Sequence, residues 1–215
     1  MDTRSYWKHK LSEYANEVWS NKPSIFAKQT LSYFPTKGTL LELAGGQGQD
    51  SVFFATQGYT VTYSDFVEDV VRNVEKNTDP GLDVWFQVID LSKPLPFKNA
   101  SFDVVYSHLG LHYFDNVNTK KVFGEIHRVL KTDGMLATIL NTINDPEIKK
   151  SNYQEIEPYF FLNPRSGIKK SYFSQEYLSA LVKGLFEPVL LDSAGETYKD
   201  ETKSLIRFVG KPLNK

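Results

Sequence analysis

The ten residues ELAGGQGQDS, Glu42–Ser51, set three glycines between an apolar run and a short helix-like segment. Glycine has no Cβ, so its backbone can approach a ligand closely and adopt conformations closed to other residues. The helix start beyond it presents unpaired N–H groups that suit an anion. Such a turn serves a dinucleotide, a nucleoside triphosphate or a sulfonium nucleoside, or is only a tight corner. Ser51 stands where the G-x-G-x-x-G dinucleotide fingerprint needs its third glycine, and no Gly-Lys-Ser/Thr follows to make a P-loop. Further along, Asp65 closes the alternating run YTVTYS and Asp90 closes DVWFQVI. A carboxylate at Asp65 can accept both hydroxyls of a ribose, or cap the next helix. His108 and His112 lie in YSHLGLHYF, where an imidazole suits general-base work. His108 is the first candidate, its alternative being a contact residue that moves no proton. His112 is the second, its alternative being structural. A base at His108 with an ordinary imidazole pKa predicts a rate inflection between about pH 6 and 7.

The chain that must position these groups has 215 residues, enough for one domain with a sizeable core. Apolar residues make up 40% and charged ones 24%, as in a globular protein. The net charge of −1 and the lack of a basic run argue against nucleic acid as a partner. No apolar run approaches the roughly 18 residues of a membrane span. The start MDTRSYWKHK has no signal-peptide core, so the expected location is cytoplasmic, as a monomer or homodimer. Cysteine is absent, which excludes disulfides, thiolate metal sites and cysteine nucleophiles. With four histidines and no H-E-x-x-H, no metal site is expected; His127 reads as structural and His9 as surface.

Helix-like stretches at Ser5–Ser20 and Pro23–Phe34 come first, the second opening with a proline where a missing N–H costs nothing. GTLLEL then reads as a buried strand, DSVFFATQG as a short helix, and YTVTYS as a second strand. VEDVVRNVEKN places Val67, Val70, Val71 and Val74 on one helical face. DVWFQVID and SFDVVYS are strands three and four, NTKKVFGEIHRVL an amphipathic helix, and GMLATILN a fifth strand. This alternation predicts an α/β, Rossmann-like three-layer sandwich with a mostly parallel sheet, whose ligands bind beyond the strand C-termini. Past Asn141 an irregular aromatic- and lysine-rich segment precedes a helix-like SQEYLSALVKG and two strand-like runs spaced for an antiparallel hairpin.

Taken together these stretches resemble the class I S-adenosylmethionine (SAM) dependent methyltransferases, of the small-molecule type with a methyltransferase domain 11/25-like core. LLELAGGQGQDS is similar to their acid-x-G-x-G-x-G motif, with Glu42 at the acid position, Ala44 replacing the first glycine, and Gly46 and Gly48 at the others. QVIDLSKPLPFKNASFDVVYS resembles the stretch in which an acidic residue precedes L-P-F and an F-D-V strand, and EIHRVLKTDGML stands where the family shows R-V-L-K-P-G-G. The likeness spans residues 38–142. It implies a seven-stranded sheet with one antiparallel strand and SAM as cofactor, contacted by Glu42, Ala44, Gly45, Gly46, Gly48, Asp65, Phe66, Asp90, Leu91, Ser107 and His108. Asp90 and the Leu91 N–H would meet the adenine, Asp65 the ribose, and Phe66 would flank the base. His108 and His112 would face a small-molecule acceptor as candidate catalytic groups. On this reading residues 1–37 are a helical lid carrying Tyr6 and Trp7, 143–173 an acceptor-pocket insert, and 174–215 a C-terminal helix and hairpin. The insert carries Tyr153, Tyr159, Phe160, Phe161, Arg165, Tyr172 and Phe173. A SAM-binding regulator without catalysis, or an NAD-dependent oxidoreductase, is the alternative.

Overall fold

The computed structural model describes residues 3–199 and 204–214. In chain order its elements are α1 (Thr3–Tyr14), α2 (Ile25–Thr30), β1 (Gly38–Glu42), α3 (Gln49–Thr56), β2 (Tyr59–Asp65), α4 (Glu68–Asn77), β3 (Val84–Val88), β4 (Phe102–His108), α5 (Asn116–Val129) and β5 (Leu130–Asn141). There follow α6 (Glu147–Lys150), β6 (Gln154–Glu157), β7 (Phe160–Leu162), β8 (Lys169–Ser171), α7 (Gln175–Val182), β9 (Phe186–Asp192) and β10 (Leu205–Pro212). Seven strands form one sheet in the order β3-β2-β1-β4-β5-β10-β9. β10 is antiparallel to both its neighbours, and the other six strands share one direction. This is the expected fold class.

The chain leaves β1 toward one edge and later returns to β4 on its other side, so the order reverses between β1 and β4. That reversal opens the crevice in which such sheets bind ligands. Period-two alternation gives each strand two buried faces. Leu41 and Val105 join the layer under α5 and α7, with Phe123, Ile126 and Leu178. Their neighbours Leu40 and Val104 join the opposite layer, with Phe26 and Phe54. In α5 the buried Val122, Phe123, Ile126 and Val129 repeat at helical spacing, each worth about 1.5–3 kcal/mol when removed from water. Arg128 then bonds the Leu95 and Phe97 carbonyls at 2.9 and 2.7 Å, which fixes the L-P-F loop on that helix.

Several boundaries depart from the sequence reading. The helix expected over Ser5–Ser20 stops at Tyr14, since only Leu11 of α1 is buried and no apolar stripe supports further turns. The one expected over Pro23–Phe34 is α2 capped by Ser24, followed by a 3-10 turn at Leu31–Tyr33. β5 begins at Leu130 rather than Gly134. The segment read as irregular contains α6 and a three-stranded antiparallel sheet, β6-β7-β8. That small sheet is tied to the core by the Ser171 N–H, which donates to the His112 carbonyl at 2.7 Å. No helix among the described residues is long and apolar enough to cross a membrane.

Candidate functional site

A cavity of about 910 Å³ opens beyond the C-terminal ends of β1, β2 and β4. The turn after β1 forms its floor. Ala44, Gly46 and Gly48 all take positive φ, at 55°, 54° and 75°. For an alanine that conformation costs roughly 1–2 kcal/mol. Between them Gly45 has no room for a side chain, because a Cβ there would lie 2.6 Å from Tyr63 Cε2 and 2.9 Å from Glu42 Cδ. Gly110 is equally constrained: its Cβ would sit 2.6 Å from the Ala44 Cβ. The methyl that Ala44 adds to the turn is therefore accommodated by a glycine 66 residues later, a pairing the sequence alone did not reveal.

The turn is pinned by side chains from β2. Tyr63 donates its hydroxyl to the Gly46 carbonyl at 2.7 Å, and Asp65 Oδ2 accepts the Gly46 N–H at 3.2 Å. Asp65 Oδ1 accepts the Val67 N–H at 3.0 Å, so the residue also braces the start of α4. Burial raises the Asp65 pKa despite these amide bonds. Ser51, which breaks the dinucleotide fingerprint, donates a short hydrogen bond to Glu42 Oε2. Glu42 is buried, and its pKa is driven well up by that burial and by the nearby charge of Asp50. Asp50 accepts the Ser24 N–H at 2.6 Å, the Ser24 hydroxyl at 2.7 Å and the Tyr106 hydroxyl at 2.8 Å. Burial raises its pKa too, against those bonds. The sequence reading saw Asp50 only as a helix-start residue. Its signal was an acid two residues after the third glycine, in the first turn of a helix whose N-terminus favours negative charge.

Of the residues expected to contact a cofactor, Glu42, Ala44, Gly45, Gly46, Asp65, Phe66, Asp90, Leu91 and His108 all line the cavity. Gly48 and Ser107 do not. Gly48 turns the chain behind the floor, against Val74, and the Ser107 hydroxyl donates to the Leu43 carbonyl at 2.9 Å inside the core. Asp90 sits at the opposite wall, where partial burial is outweighed by the Ser92 hydroxyl and N–H, at 2.6 and 3.0 Å, which hold its pKa low. α1 crosses the top. Gln47 Nε2 donates to the Leu11 carbonyl at 2.8 Å, and the Arg4 guanidinium lies 5.6 Å from the Phe66 ring centre.

Both candidate histidines border the cavity, and both are neutral. Burial, with the positive charge of Lys199, lowers His108 to about 3. The inflection expected near pH 6–7 thus has no source in this residue. His112 is pushed well down by burial, by Lys170 and Lys199, and by His108. The His108 Nε2 and both ring nitrogens of His112 are buried with no hydrogen-bond partner among the described residues. His127, by contrast, pairs with the Leu213 carbonyl at 3.0 Å, and His9 lies 3.3 Å from Glu13 on the surface.

The far wall is aromatic. Tyr6 and Trp7 of α1 both line it, and Trp7 packs edge-on against Tyr113 at 4.7 Å. Of the seven residues singled out in the insert, only Tyr153 reaches the cavity. Tyr159 instead stacks on Tyr177 at 4.4 Å, Phe161 packs on Tyr172, and Phe173 enters the core. Glu147 and Lys170, unremarked in the sequence, line the cavity and meet at 3.2 Å. Among the described residues no group of three or more histidines, aspartates or glutamates is placed to hold a metal ion.

Residues 40–134 match the family model described as a methyltransferase domain. Among curated proteins the chain is 30% identical over 141 residues to the demethylmenaquinone methyltransferase of Leptospira interrogans, covering 62% of this chain and 54% of that one. The chain thus spans about half the length of that relative. Among solved structures, the 1,6-didemethyltoxoflavin-N1-methyltransferase of Burkholderia thailandensis, with its substrate and S-adenosylhomocysteine bound, superposes with a TM-score of 0.76 at 17% identity, covering 98% of this chain and 87% of that one. The PH0226 protein of Pyrococcus horikoshii gives 0.70 at 21% identity, covering 86% and 87%.

Proposed function

Because residues 40–134 match the methyltransferase-domain family model, we propose that this chain transfers a methyl group from SAM to a small-molecule acceptor. The observation that carries the reading is the floor of the cavity. Its backbone is bare at Gly45 and Gly46 and bent through positive φ, and it is flanked by Asp65 on the adjoining strand. A side chain at Gly45 would collide with Tyr63, so only backbone can face a ligand at that point. A nucleoside cofactor fits that arrangement. Each Asp65 oxygen is committed to one backbone N–H and keeps a further lone pair for a ribose hydroxyl. Asp90, with the Leu91 N–H beside it, would meet the adenine, and Phe66 and Ile89 give that end an apolar border.

When bound, SAM supplies an activated methyl whose displacement leaves a neutral sulfide, so the chain needs to align the acceptor and exclude water rather than activate a leaving group. Exclusion falls to α1, with Tyr6 and Trp7 over the cavity. Alignment falls to the wall of His108, His112, Tyr113 and Tyr153. Because both imidazoles stay neutral far below pH 7, they serve as hydrogen-bond partners and are weak proton acceptors. At about 910 Å³ the cavity lies near the top of the ~300–1,000 Å³ range of small-molecule sites. That volume supports a cofactor and a modest acceptor together. The Leptospira relative is named for a demethylmenaquinone, and the Burkholderia neighbour's structure holds 1,6-didemethyltoxoflavin.

Calorimetric titration with SAM, S-adenosylhomocysteine and NAD tests the assignment. Saturable binding of the first two is expected, with none for NAD. Binding of NAD alone would overturn it.

A further inference from the structure

The acceptor end of the cavity has a chemistry of its own. Glu147 lines it, and its oxygens are already engaged. Oε1 accepts the Tyr153 hydroxyl at 2.9 Å, while Oε2 accepts the Tyr172 hydroxyl at 3.1 Å and faces Lys170 Nζ at 3.2 Å. It offers little to a cationic acceptor. His112 is the reverse case: it is 1% exposed, borders the cavity, and neither ring nitrogen has a partner among the described residues. A buried polar atom left in that state costs about 1–3 kcal/mol, so the imidazole is built for something that reaches it. Lys170 from β8, itself paired with Glu147, and Lys199 from the β9–β10 connection act on it, with neutral His108 alongside on β4. Tyr113 covers one side of the ring at 4.4 Å, and Trp7 packs on Tyr113 in turn. The result is an aromatic-lined end of the cavity, its rings packed edge-on, with a neutral imidazole open to a ligand and the Lys170–Glu147 pair beside it.

Building on the methyl-transfer reading, we propose that this end of the cavity takes a planar aromatic acceptor bearing an acidic O–H or ring N–H and holds that group ionised, with the His112 N–H donating to the anion and Lys170 supplying the countercharge. The acceptor's proton leaves to solvent as the group binds. The anion's lone pair then forms the bond to the methyl carbon while the carbon–sulfur bond breaks, its electron pair going to sulfur. The sum is acceptor-H plus SAM giving methylated acceptor, S-adenosylhomocysteine and one proton. No residue has to act as a strong base. The site stabilises the anion instead.

The test uses the full chain saturated with S-adenosylhomocysteine and 4-nitrophenol as probe, because its ionised form absorbs visible light. Bound 4-nitrophenol should ionise at least one pH unit below the free compound, equivalent to about tenfold preference for the phenolate. His112→Leu and Lys170→Met should each remove most of that shift. His112→Asn, which keeps an N–H donor, should retain much of it. All three variants should bind S-adenosylhomocysteine as the parent does, which shows that they are folded. Binding of S-adenosylhomocysteine with no phenol bound, with an unshifted phenol, or with choline bound in its place overturns this proposal alone. Failure of S-adenosylhomocysteine itself to bind overturns the methyl-transfer reading and this proposal with it.

Discussion

The contact between Ala44 and Gly110 gives the sharpest test of how the cavity floor is held. Adding a methyl by Gly110→Ala places a Cβ 2.6 Å from the Ala44 Cβ, 2.7 Å from Ser107 Oγ and 3.1 Å from the Leu43 carbonyl. The first of these atoms is itself a Cβ, which cannot rotate away, so the backbone on one side must move. Overpacking of this kind costs about 1–3 kcal/mol, and three simultaneous contacts argue for the upper half. Ala44→Gly alone should be nearly neutral. It relieves roughly 1 kcal/mol of strain at φ 55° but adds a similar amount of unfolded-state freedom. In the double variant the worst clash is gone while those with Ser107 and Leu43 remain. Urea unfolding of the four proteins should therefore show a favourable coupling of about 1–2 kcal/mol, above the roughly 0.5 kcal/mol scatter of independent sites. SAM affinity should fall in Gly110→Ala and recover in the double variant, because the same backbone shift distorts the turn. If the two changes prove additive in stability, the methyl at position 44 is not what makes glycine necessary at 110.

Asp65→Ala should weaken SAM binding by about ten- to a hundred-fold in calorimetry, from the loss of roughly 1.5–3 kcal/mol of charged hydrogen bonds. It should also lower stability, since the amides of Gly46 and Val67 lose their acceptor. Gly46→Val should fold but lose SAM binding. Its Cβ meets only Leu11 at 3.5 Å, so the obstacle is a β-branched residue held at φ 54°, worth about 1–3 kcal/mol, and not a clash. His108 should leave a signature in stability rather than in rate. Its folded pKa of about 3 lies below the ordinary 6.5, so between those values the unfolded chain binds the extra proton and stability falls as pH falls. His108→Phe should flatten that dependence by up to about 1.4 kcal/mol per pH unit, as read from urea midpoints at pH 6.5 and 5; an unchanged slope would show that the imidazole titrates normally.

The alternation of strands and helices was legible because each βα unit carries its own period and its own turn, and the single antiparallel strand followed from the family resemblance. At α4 the helical period marked Val67, Val71 and Val74, which are buried, along with Val70, which is only partly so. Most of the residues that line the cavity floor were legible for a related reason, since they immediately follow strand ends in the chain. The exceptions are instructive. Gly48 and Ser107 occupy motif positions but face inward, a distinction set by the twist of the turn and by one hydroxyl finding a carbonyl. Asp50, Gly110, Glu147 and Lys170 escaped notice because what defines them is a partner far away in sequence. Ser24 reaches Asp50 across 26 residues, and Lys170 meets Glu147 across 23. The histidines were visible as residues, but their protonation was not, because it is fixed by burial and by lysines from two later elements.

The buried acids around the floor bear on how the cavity would tell a reactant from its product. Glu42, Asp50 and Asp65 all line it, and all three are shielded from water. SAM carries one positive charge more than S-adenosylhomocysteine, and that charge disappears in the transfer itself. Where ionised, three shielded acids would favour the charged form over the neutral one, so the grip on the cofactor would relax when the methyl departs. The acids themselves share in the exchange. Burial raises the pKa of Glu42 and Asp50, and an arriving cation would pull both back down. Titrations in buffers of different ionisation enthalpy would count protons released with SAM and fewer with S-adenosylhomocysteine. Equal counts would mean that the acids only brace the turn.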